Sequence, residues 1–345
     1  MLEYLNEILK ELLADAIGIT IAGLIVWCFF LIGYYLKRNE LFYYKAISPL
    51  NRVFRCNGIE FDKMKIQIIQ DKFENIYKEE EQKQLLAHSS GKKLFNGDMV
   101  RLLKVEKNTC FVQEIKYFDF LTTNLVYRPA SSKLLAPKDA LWHMVFDEEF
   151  RERNKLENRL KAKVAWYGPL KTFDDVLRVR EFANAIAISV ILRDKDDNVL
   201  VVRRGRKNAI SSGTFAVSAT GSLAKDDLNK ENPFISAGCR EVEEELNLKV
   251  KLLIKEIIIV KQKYQPVVLL EGKVDKSFKE LKEKMKRAKD YNDENTSLYS
   301  VPSKKIKGVT RKYRFTDTST YQLVGKSNTI GWFFCLKKDI RKYEI

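Results

Sequence analysis

Three glutamates in the C-terminal half of the chain have the spacing of a cation site. Glu241, Glu244 and Glu245 stand at i, i+3 and i+4, so on a helix they share about 100° of its circumference. Carboxylates that close repel one another unless a cation lies among them. Oxygen ligands without histidine or cysteine suit Mg²⁺ or Mn²⁺, so the spacing favours a divalent-metal site over a solvated helix face.

The segment around these glutamates carries the signals of a helix with defined ends. Asn232 is a good N-cap, Pro233 suits the first helical position, and Asn247 can adopt the left-handed conformation that ends a helix. An apolar stripe runs along the predicted helix, formed by Ile235, Cys239, Val242 and Leu246. The three carboxylates lie next to this stripe, whereas Glu243 points elsewhere.

A strand, a turn and a second strand precede this helix. Residues 186–192 are apolar, residues 194–198 form an acidic turn, and residues 199–202 return as a strand. Gly213 and Gly221 are predicted to be turn residues on either side of a further short strand.

The stretch "REVEEELNL" resembles the core of the Nudix box, G-x5-E-x7-R-E-U-x-E-E-x-G-U, in which U is aliphatic. The resemblance makes Arg240 the box arginine, places Val242 and Leu248 at aliphatic positions, and puts Asn247 where the box has its second glycine. It implies catalytic and metal-binding roles for Glu241, Glu244 and Glu245, with Arg240 among the catalytic residues. It also implies an α/β/α sandwich with a mixed sheet and a substrate in which a nucleoside diphosphate is linked to another group.

The first half of the box departs from the family pattern. Counted back from Arg240, its glutamate falls on Asn232, one position from Glu231, and its first glycine falls on Asp226. Gly221 lies nineteen positions before Arg240 instead of fourteen, so "AKDDL" or its neighbours form a short insertion. The three glutamates are kept, while the loop that precedes their helix differs from the family pattern. This combination favours binding of metal or nucleotide over catalysis.

An uncharged apolar segment near the N-terminus predicts one membrane span. Residues 16–36 would reach about 31 Å as a helix, enough to cross a bilayer. A cleaved signal peptide fits poorly, because acidic residues precede the segment and no small-residue cleavage site follows it; a buried core helix is the other alternative. Lys37 and Arg38 directly after the segment predict that residues 37–345 are cytoplasmic, with the amphipathic tail 1–15 outside.

The amino-acid composition indicates which classes of ligand and metal site the protein could have. The chain of 345 residues carries a formal net charge of +16, which favours anionic partners such as nucleotides or acidic lipids. Its five cysteines are isolated and it has two histidines, which excludes an ordinary zinc site and a disulfide framework. Arg203 and Arg204 are candidate phosphate ligands, and the lysine-rich segment 273–314 reads as a solvated helix and loop that could flank an anionic ligand or lipid headgroups.

The rest of the chain reads as a mixed α+β connecting domain, 37–175, followed by the Nudix-like domain, 180–345. In the connecting domain "KMKIQIIQDKF" and "RLLKVEKNTCFVQEIKYFDFLTTNLVY" alternate like strands, and "DEEFRERNKLENRLKAKVAWY" reads as an exposed helix. His143 is expected to be a packing residue. In the second domain strands are expected in "VKLLIKEIIIVKQ", "PVVLLEGKV" and "IGWFFCLKK".

Three functions fit this organisation. The order of membrane segment, intermediate region and C-terminal Nudix domain resembles the transmembrane Nudix effectors of bacterial CBASS antiphage systems. That resemblance implies a cyclic nucleotide ligand, disruption of the bilayer and homo-oligomerisation on activation, with no nucleic acid polymer as partner. The alternatives are a membrane-tethered Mg²⁺-dependent Nudix pyrophosphohydrolase and a scaffold with a degenerate Nudix domain.

Overall fold

The computed structural model describes eight stretches of the chain, residues 42–46, 53–86, 95–127, 148–205, 213–289, 295–312, 315–324 and 331–335. The predicted tail 1–15, the predicted span 16–36 and His143 lie outside them. Within the described stretches, no helix is both long enough and apolar enough to cross a membrane. The chain divides into two compact units, one of residues 1–46 and 331–339 and one of residues 47–330 and 340–345.

The strands of the described stretches are β1 (Phe42–Ala46), β2 (Val53–Arg55), β3 (Lys65–Ile69), β4 (Asp98–Glu106), β5 (Thr109–Lys116), β6 (Ala187–Arg193), β7 (Val199–Arg204), β8 (Phe215–Val217), β9 (Ala219–Ser222), β10 (Leu252–Val260), β11 (Gln265–Lys273), β12 (Asn295–Val301) and β13 (Gly331–Cys335).

The α-helices of the same stretches are α1 (Glu79–Leu86), α2 (Tyr117–Thr122), α3 (Asn124–Tyr127), α4 (Glu148–Ala165), α5 (Phe173–Leu177), α6 (Pro233–Leu246), α7 (Phe278–Met285), α8 (Ile306–Lys312) and α9 (Asp317–Val324). Short 3₁₀ turns cover Phe61–Lys63, Lys225–Asn229 and Ser303–Lys305.

A mixed eight-stranded sheet dominates the larger unit. Its strands follow the order β12-β7-β6-β11-β10-β2, while β8 pairs with β7 and β9 pairs with β6. β6 and β11 run parallel, and the other pairs are antiparallel. The predicted α/β class with a mixed sheet is confirmed, as are the strands at 186–192 and 199–202.

Helices cover both faces of this sheet. Successive side chains of a strand point to opposite faces, and apolar side chains on both faces of β6 are buried. One face of β6 contributes Ile188 and Val190 to the large hydrophobic cluster that includes Val242 and Leu246 of α6. The other face contributes Ile191 to a second cluster with residues of β7, β8, β12, α8 and the start of the segment that leads into α9. Helix α6 and the C-terminal helices therefore lie on opposite sides of the sheet.

A smaller sheet of order β3-β5-β4 precedes the main one. β3 runs parallel to β5, and β4 runs antiparallel to it. The backbone of β4 also hydrogen-bonds to the segment that enters β6, with Leu102 N donating to Asn184 O at 3.1 Å and Ile186 N donating to Val100 O at 2.8 Å. Hydrogen bonding continues from the connecting region into the main sheet at this point.

In the smaller unit β1 and β13 form an antiparallel pair, in which Tyr44 lies opposite Phe333. The strand expected in "IGWFFCLKK" is thus confirmed, and its partner is the strand that closely follows the predicted membrane span.

Two expectations for local structure were wrong. Residues 117–127 form α2 and α3 instead of continuing a strand, because the Asp119 carboxylate accepts a hydrogen bond from Lys116 N at 2.8 Å and starts a helix. The lysine-rich segment contains strand β12, which pairs with β7 and buries Leu298, Tyr299 and Val301. The strand was not predicted because the many lysines of the segment lower its hydropathy. Its apolar side chains nevertheless belong to the core.

The helix predicted at 147–167 is present as α4, but it is not exposed all round. Leu156, Leu160 and Val164 are buried at intervals of four residues and form one packed stripe. Its charged side chains occupy the remaining circumference. The helix is therefore amphipathic, although its low mean hydropathy had suggested that all of it is exposed.

Candidate functional site

The helix that carries the three glutamates has the ends that the sequence predicts. Asn232 Oδ1 accepts a hydrogen bond from Ile235 N at 3.1 Å, and Pro233 occupies the first turn. Asn247 ends the helix with φ of 55° and ψ of 47°, in the left-handed region. The buried face of α6 includes Val242 and Leu246, and it is extended by Phe234, Ala237 and Gly238.

Arg240 lies at the centre of the polar face. Its Nη1 donates to Glu241 Oε1 at 2.7 Å and to Glu244 Oε2 at 3.2 Å. Its Nη2 donates to Ser222 O at 2.9 Å. The arginine therefore joins two glutamates of its own helix to the end of β9, and it holds the helix against the sheet.

Asp227 completes the binding of Arg240 and was not foreseen in the sequence. It is buried in the 3₁₀ turn Lys225–Asn229, and its Oδ2 accepts from Arg240 Nη2 at 3.0 Å, with Oδ1 3.4 Å from Nε. Burial opposes the charge of Arg240, but the bond to Asp227 and the charge of Glu241 outweigh it. The pKa of Arg240 is therefore raised above its usual value.

The position of Asp227 shows where the box is expanded. Gly221 and Asp227 are separated by five residues, which is the separation of glycine and glutamate in the Nudix box. Twelve residues instead of seven then separate Asp227 from Arg240. The acid expected at Asn232 or Glu231 is therefore supplied by Asp227, and the extra residues lie between that acid and the arginine.

Gly221 is not the turn residue that the sequence predicts. It lies within β9, where it pairs with Ile188 of β6. A Cβ at this position would overlap the carboxyl group of Glu241. Glycine lets the Glu241 carboxylate pack directly on the strand backbone, and a larger residue here would force that carboxyl group to move.

Glu244 lies at the solvent side of the cluster. Its Oε1 accepts from Lys289 Nζ at 2.7 Å, while its Oε2 faces Arg240. Burial acts to raise the pKa of Glu244, but the hydrogen bond from Lys289 and the charge of Arg240 outweigh it and hold that pKa below its usual range. The lysine belongs to the basic segment and has a side chain that is 70% exposed.

Glu245 faces the protein interior and is only 3% exposed. Its Oε1 accepts from Thr220 N at 3.0 Å, and its Oε2 accepts from the amide of Asn295 at the start of β12. Buried carboxylates need hydrogen-bond donors of this kind, because desolvation otherwise disfavours the charge. Glu245 thus ties α6 to two strands of the sheet.

Carboxylate oxygens are the ligands that divalent cations such as Mg²⁺ prefer. Glu241 and Glu244 each direct one such oxygen at the same position, which Arg240 Nη1 occupies in this structure. Glu245 is turned away from that position toward Thr220 and Asn295. Within the described stretches, no three histidine, cysteine, aspartate or glutamate side chains converge closely enough to hold a metal ion. The metal role of the three glutamates stays a prediction.

The two candidate phosphate ligands lie on opposite faces of β7. Arg204 is on the α6 side, where its Nη1 donates to Thr220 Oγ1 at 2.6 Å, and the N–H of the same threonine binds Glu245. Within the described residues Arg204 Nε is buried and makes no hydrogen bond. Because side chains alternate along a strand, Arg203 faces the other side of the sheet. The structure brings Arg204 to the cluster and leaves Arg203 away from it.

The residues that the sequence did not reveal share one property, which is that they contact the cluster from other elements. Thr220 comes from β9, Asp227 from a 3₁₀ turn, Lys289 from the basic segment and Asn295 from β12. The retained spacing of Gly221 and Asp227 is the one sequence signal that could have identified any of them.

Several solved structures of Nudix proteins show a limited likeness to this chain. A mutT/nudix family protein from Listeria innocua is 17% identical, over 41% of this chain and 90% of that chain, with a TM-score of 0.31. The NUDIX domain of Shewanella oneidensis NrtR, solved with ADP ribose, is 10% identical, over 41% of this chain and 85% of that chain, with a TM-score of 0.31.

A bifunctional NMN adenylyltransferase/ADP ribose pyrophosphatase from Francisella tularensis, solved with AMP and a Mn ion, is 15% identical; the match covers 62% of each chain, with a TM-score of 0.27. No family model and no curated protein matches the chain. The Nudix interpretation therefore depends on the residues and contacts around Arg240.

Proposed function

We propose that this chain is a membrane-anchored effector whose Nudix-like domain binds a cyclic nucleotide second messenger, in the manner of the transmembrane Nudix effectors of CBASS antiphage defence. In this proposal residues 16–36 cross the bacterial inner membrane once, with residues 1–15 outside. The connecting domain 37–175 and the Nudix-like domain 180–345 lie in the cytoplasm, where they would meet the messenger.

The network that joins Arg204, Thr220 and Glu245 supports a nucleotide-binding role. Arg204 is held at the edge of the carboxylate cluster by Thr220, with a buried Nε that makes no hydrogen bond within the described residues. A guanidinium fixed in this way offers planar donors to a phosphate oxygen.

Mg²⁺ or Mn²⁺ fits this proposal as a partner of the phosphates. Glu241 and Glu244, whose oxygens converge on one position, are the residues that would hold it, and Glu245 would have to turn from Thr220 and Asn295 to become the third predicted ligand. Bound metal would neutralise phosphate oxygens. The residues of the chain contribute the rest: Arg204 binds and orients a phosphate, Arg240 keeps Glu241 and Glu244 together, and Gly221 leaves room for Glu241.

The single observation that favours a sensor over a hydrolase is that each carboxylate of the cluster already has a partner in the protein. Glu244 binds Lys289 and Arg240, and Glu245 binds Thr220 N and Asn295. A hydrolase needs carboxylates that are available for metal and water in the reacting complex. A cluster whose carboxylates are already paired within the protein suits a stable binding surface.

The proposed output is a change of assembly. A single helix cannot form a pore, so several copies must bring their spans together to breach the bilayer. A ligand drives such an assembly only if it binds the assembled state more tightly than the separate chains. The cyclic nucleotide is therefore expected to raise the oligomeric mass of the protein.

A panel of cyclic di- and trinucleotides tests the proposal on the full-length protein in detergent. One member should bind and increase the mass measured by analytical ultracentrifugation, and its synthesis in cells should depolarise the inner membrane. Arg204→Ala should weaken binding, whereas Arg178→Ala, which alters an exposed arginine with an ion pair to Asp175, is the matched control. Absence of binding and of mass change across the panel would contradict the sensor function.

A membrane-tethered pyrophosphohydrolase is the second candidate, and one observation favours it. The separation of Gly221 and Asp227 matches the Nudix box, so the packing that positions Glu241 is kept. Rapid Mg²⁺-dependent cleavage of a linear dinucleotide, lost in Glu244→Gln and kept in Glu243→Gln, would establish this function. Glu243 is the appropriate control because it is exposed on the same helix.

A further inference from the structure

A second cleft lies on the face of the main sheet opposite α6. It has a volume of about 320 Å³, within the range of small-ligand pockets. It opens between the β6–β7 hairpin and the C-terminal helices α8 and α9. Its lining consists of Ile191, Arg193, Val199, Ser303, Lys304, Ile306, Lys307, Gln322 and Leu323.

This cleft is separate from the carboxylate cluster. Gly221 of the cluster lies opposite Ile188 of β6, whereas Arg193 is five residues further along the same strand. At about 3.3 Å per residue the two positions are roughly 16 Å apart along the strand. They also lie on opposite faces, since Arg193 and Ile191 point away from α6.

The charged lining of the cleft is cationic. Arg193, Lys304 and Lys307 line it, and among the described residues no acidic side chain does. Arg193 is held in place because its Nε donates to Glu271 Oε1 at 3.0 Å and its Nη1 donates to Ser303 Oγ at 2.6 Å. Its Nη1 also lies 3.7 Å from Asp197 Oδ2, so Lys304 and Lys307 supply the excess positive charge of the cleft. Within the described residues its Nη2 makes no hydrogen bond, so donors remain for an anion.

The uncharged residues that line the cleft indicate what kind of molecule would carry the anionic group. Ile191, Val199, Ile306 and Leu323 are apolar, which a bare anion would not require. Gln322 forms a fixed wall, because its amide donates to Leu270 O at 3.1 Å and accepts from Ser189 Oγ at 2.8 Å. The cleft thus suits a small molecule with an anionic group at one end and an apolar or aromatic body.

A neighbouring cavity of about 250 Å³ shares Ile191, Arg193 and Gln322 with the cleft. Its other charged residues are one lysine and two glutamates, Lys255, Glu256 and Glu271, and Lys255 pairs with Glu271 at 3.6 Å. An anionic group is therefore directed to the lysine side of Arg193 and not to the acidic side.

We propose that this cleft is a binding site for a phosphate monoester with a compact aromatic or apolar body, of the size of a mononucleotide. The phosphate would lie among Arg193, Lys304 and Lys307, and the body would pack on the apolar wall. The site gives a role to part of the lysine-rich segment, and it does not depend on the function proposed for the carboxylate cluster.

Calorimetric titration of the full-length protein with AMP tests this site, with EDTA present so that no divalent metal bridges phosphate to the carboxylates. AMP should bind more tightly than adenosine or inorganic phosphate, since each supplies only half of the ligand. Lys304→Ala/Lys307→Ala should weaken AMP binding by about tenfold through loss of two charged contacts. Lys305→Ala, in the same turn but not in the lining, should bind like the unaltered protein.

Three results would overturn the proposal. They are absence of AMP binding, equal affinity in the Lys304/Lys307 and Lys305 variants, and loss of binding in Arg204→Ala with retention in Lys304→Ala/Lys307→Ala. The last result would assign AMP to the carboxylate cluster. Preference for vesicles containing phosphatidic acid over AMP would identify a lipid headgroup as the source of the phosphate.

Discussion

The inner and outer sides of the carboxylate cluster use the same residue types but hold them differently. On the inner side, Glu245 is buried and binds Thr220 N and Asn295, and Arg240 binds the buried Asp227. On the outer side, Glu244 meets the largely exposed Lys289. Two glutamates that are adjacent in sequence therefore have different tasks, one fixing the helix to the sheet and the other facing exchangeable cations.

This difference follows from solvent. A buried carboxylate is costly to leave without its partner, so the contacts of Asp227 and Glu245 hold the fold together. An exposed ion pair contributes little, because water and salt compete with it. The cluster combines a rigid support with an outer edge that ligands could reach at small cost.

Removal of the central cation is expected to have the largest effect. Arg240→Met leaves Asp227, Glu241 and Glu244 without their shared partner, and should lower the free energy of unfolding by about 3–5 kcal/mol. Denaturant unfolding of the full-length protein in detergent measures the change. Arg178→Met, at an exposed arginine, is the control and should cost less than about 1 kcal/mol. Equal losses in both variants would remove the distinction between inner and outer contacts.

The second-largest effect is expected when Glu245 loses the hydrogen bond from Asn295. Asn295→Ala removes an amide donor from a carboxylate that is nearly inaccessible, and should destabilise the protein by about 2–3 kcal/mol. Ser297→Ala, two residues along the same strand, is a matched control with an expected loss below about 0.5 kcal/mol. If Asn295→Ala unfolds at the same denaturant concentration as the control, Glu245 is not the structural anchor described here.

Gly221 tests the packing beneath Glu241. A methyl group at this position would displace the Glu241 carboxyl group, and Gly221→Ala should cost about 1–2 kcal/mol of stability. Gly308→Ala serves as control, because a Cβ there would meet no heavy atom within 4 Å. A Gly221→Ala protein as stable as the control would show that Glu241 can leave the strand freely.

The smallest effect is expected at the outer edge. Lys289→Ala removes a cation that competes for Glu244, so Mn²⁺ affinity should rise roughly two- to fivefold with little change in stability. Titration of free Mn²⁺ by electron paramagnetic resonance measures this in full-length protein. Lys279→Ala, an exposed lysine of α7, is the control. Weaker Mn²⁺ binding in Lys289→Ala would mean that Lys289 supports the ligand site instead of competing with it.

Local signals predicted much of the scaffold. The ends of α6 follow from Asn232, Pro233 and Asn247, each of which satisfies or terminates backbone hydrogen bonds within a few residues. Alternation of apolar residues predicted β3, and apolar segments separated by turn residues predicted β6 and β7; the strands β10 and β11 were also expected. The spacing of Glu241, Glu244 and Glu245 placed them on one side of the helix, but it did not indicate that Glu245 would be buried.

Only the tertiary structure decided which residues complete the cluster. Asp227 reaches Arg240 across an expanded loop, and Asn295 reaches Glu245 from a strand fifty positions later in the chain. Lys289 and the far-face cleft likewise depend on how the lysine-rich segment folds back over the sheet. Helix caps and strand patterns are set by neighbours along the chain, whereas these contacts depend on strand order and on which charges remain buried once the sheet has formed.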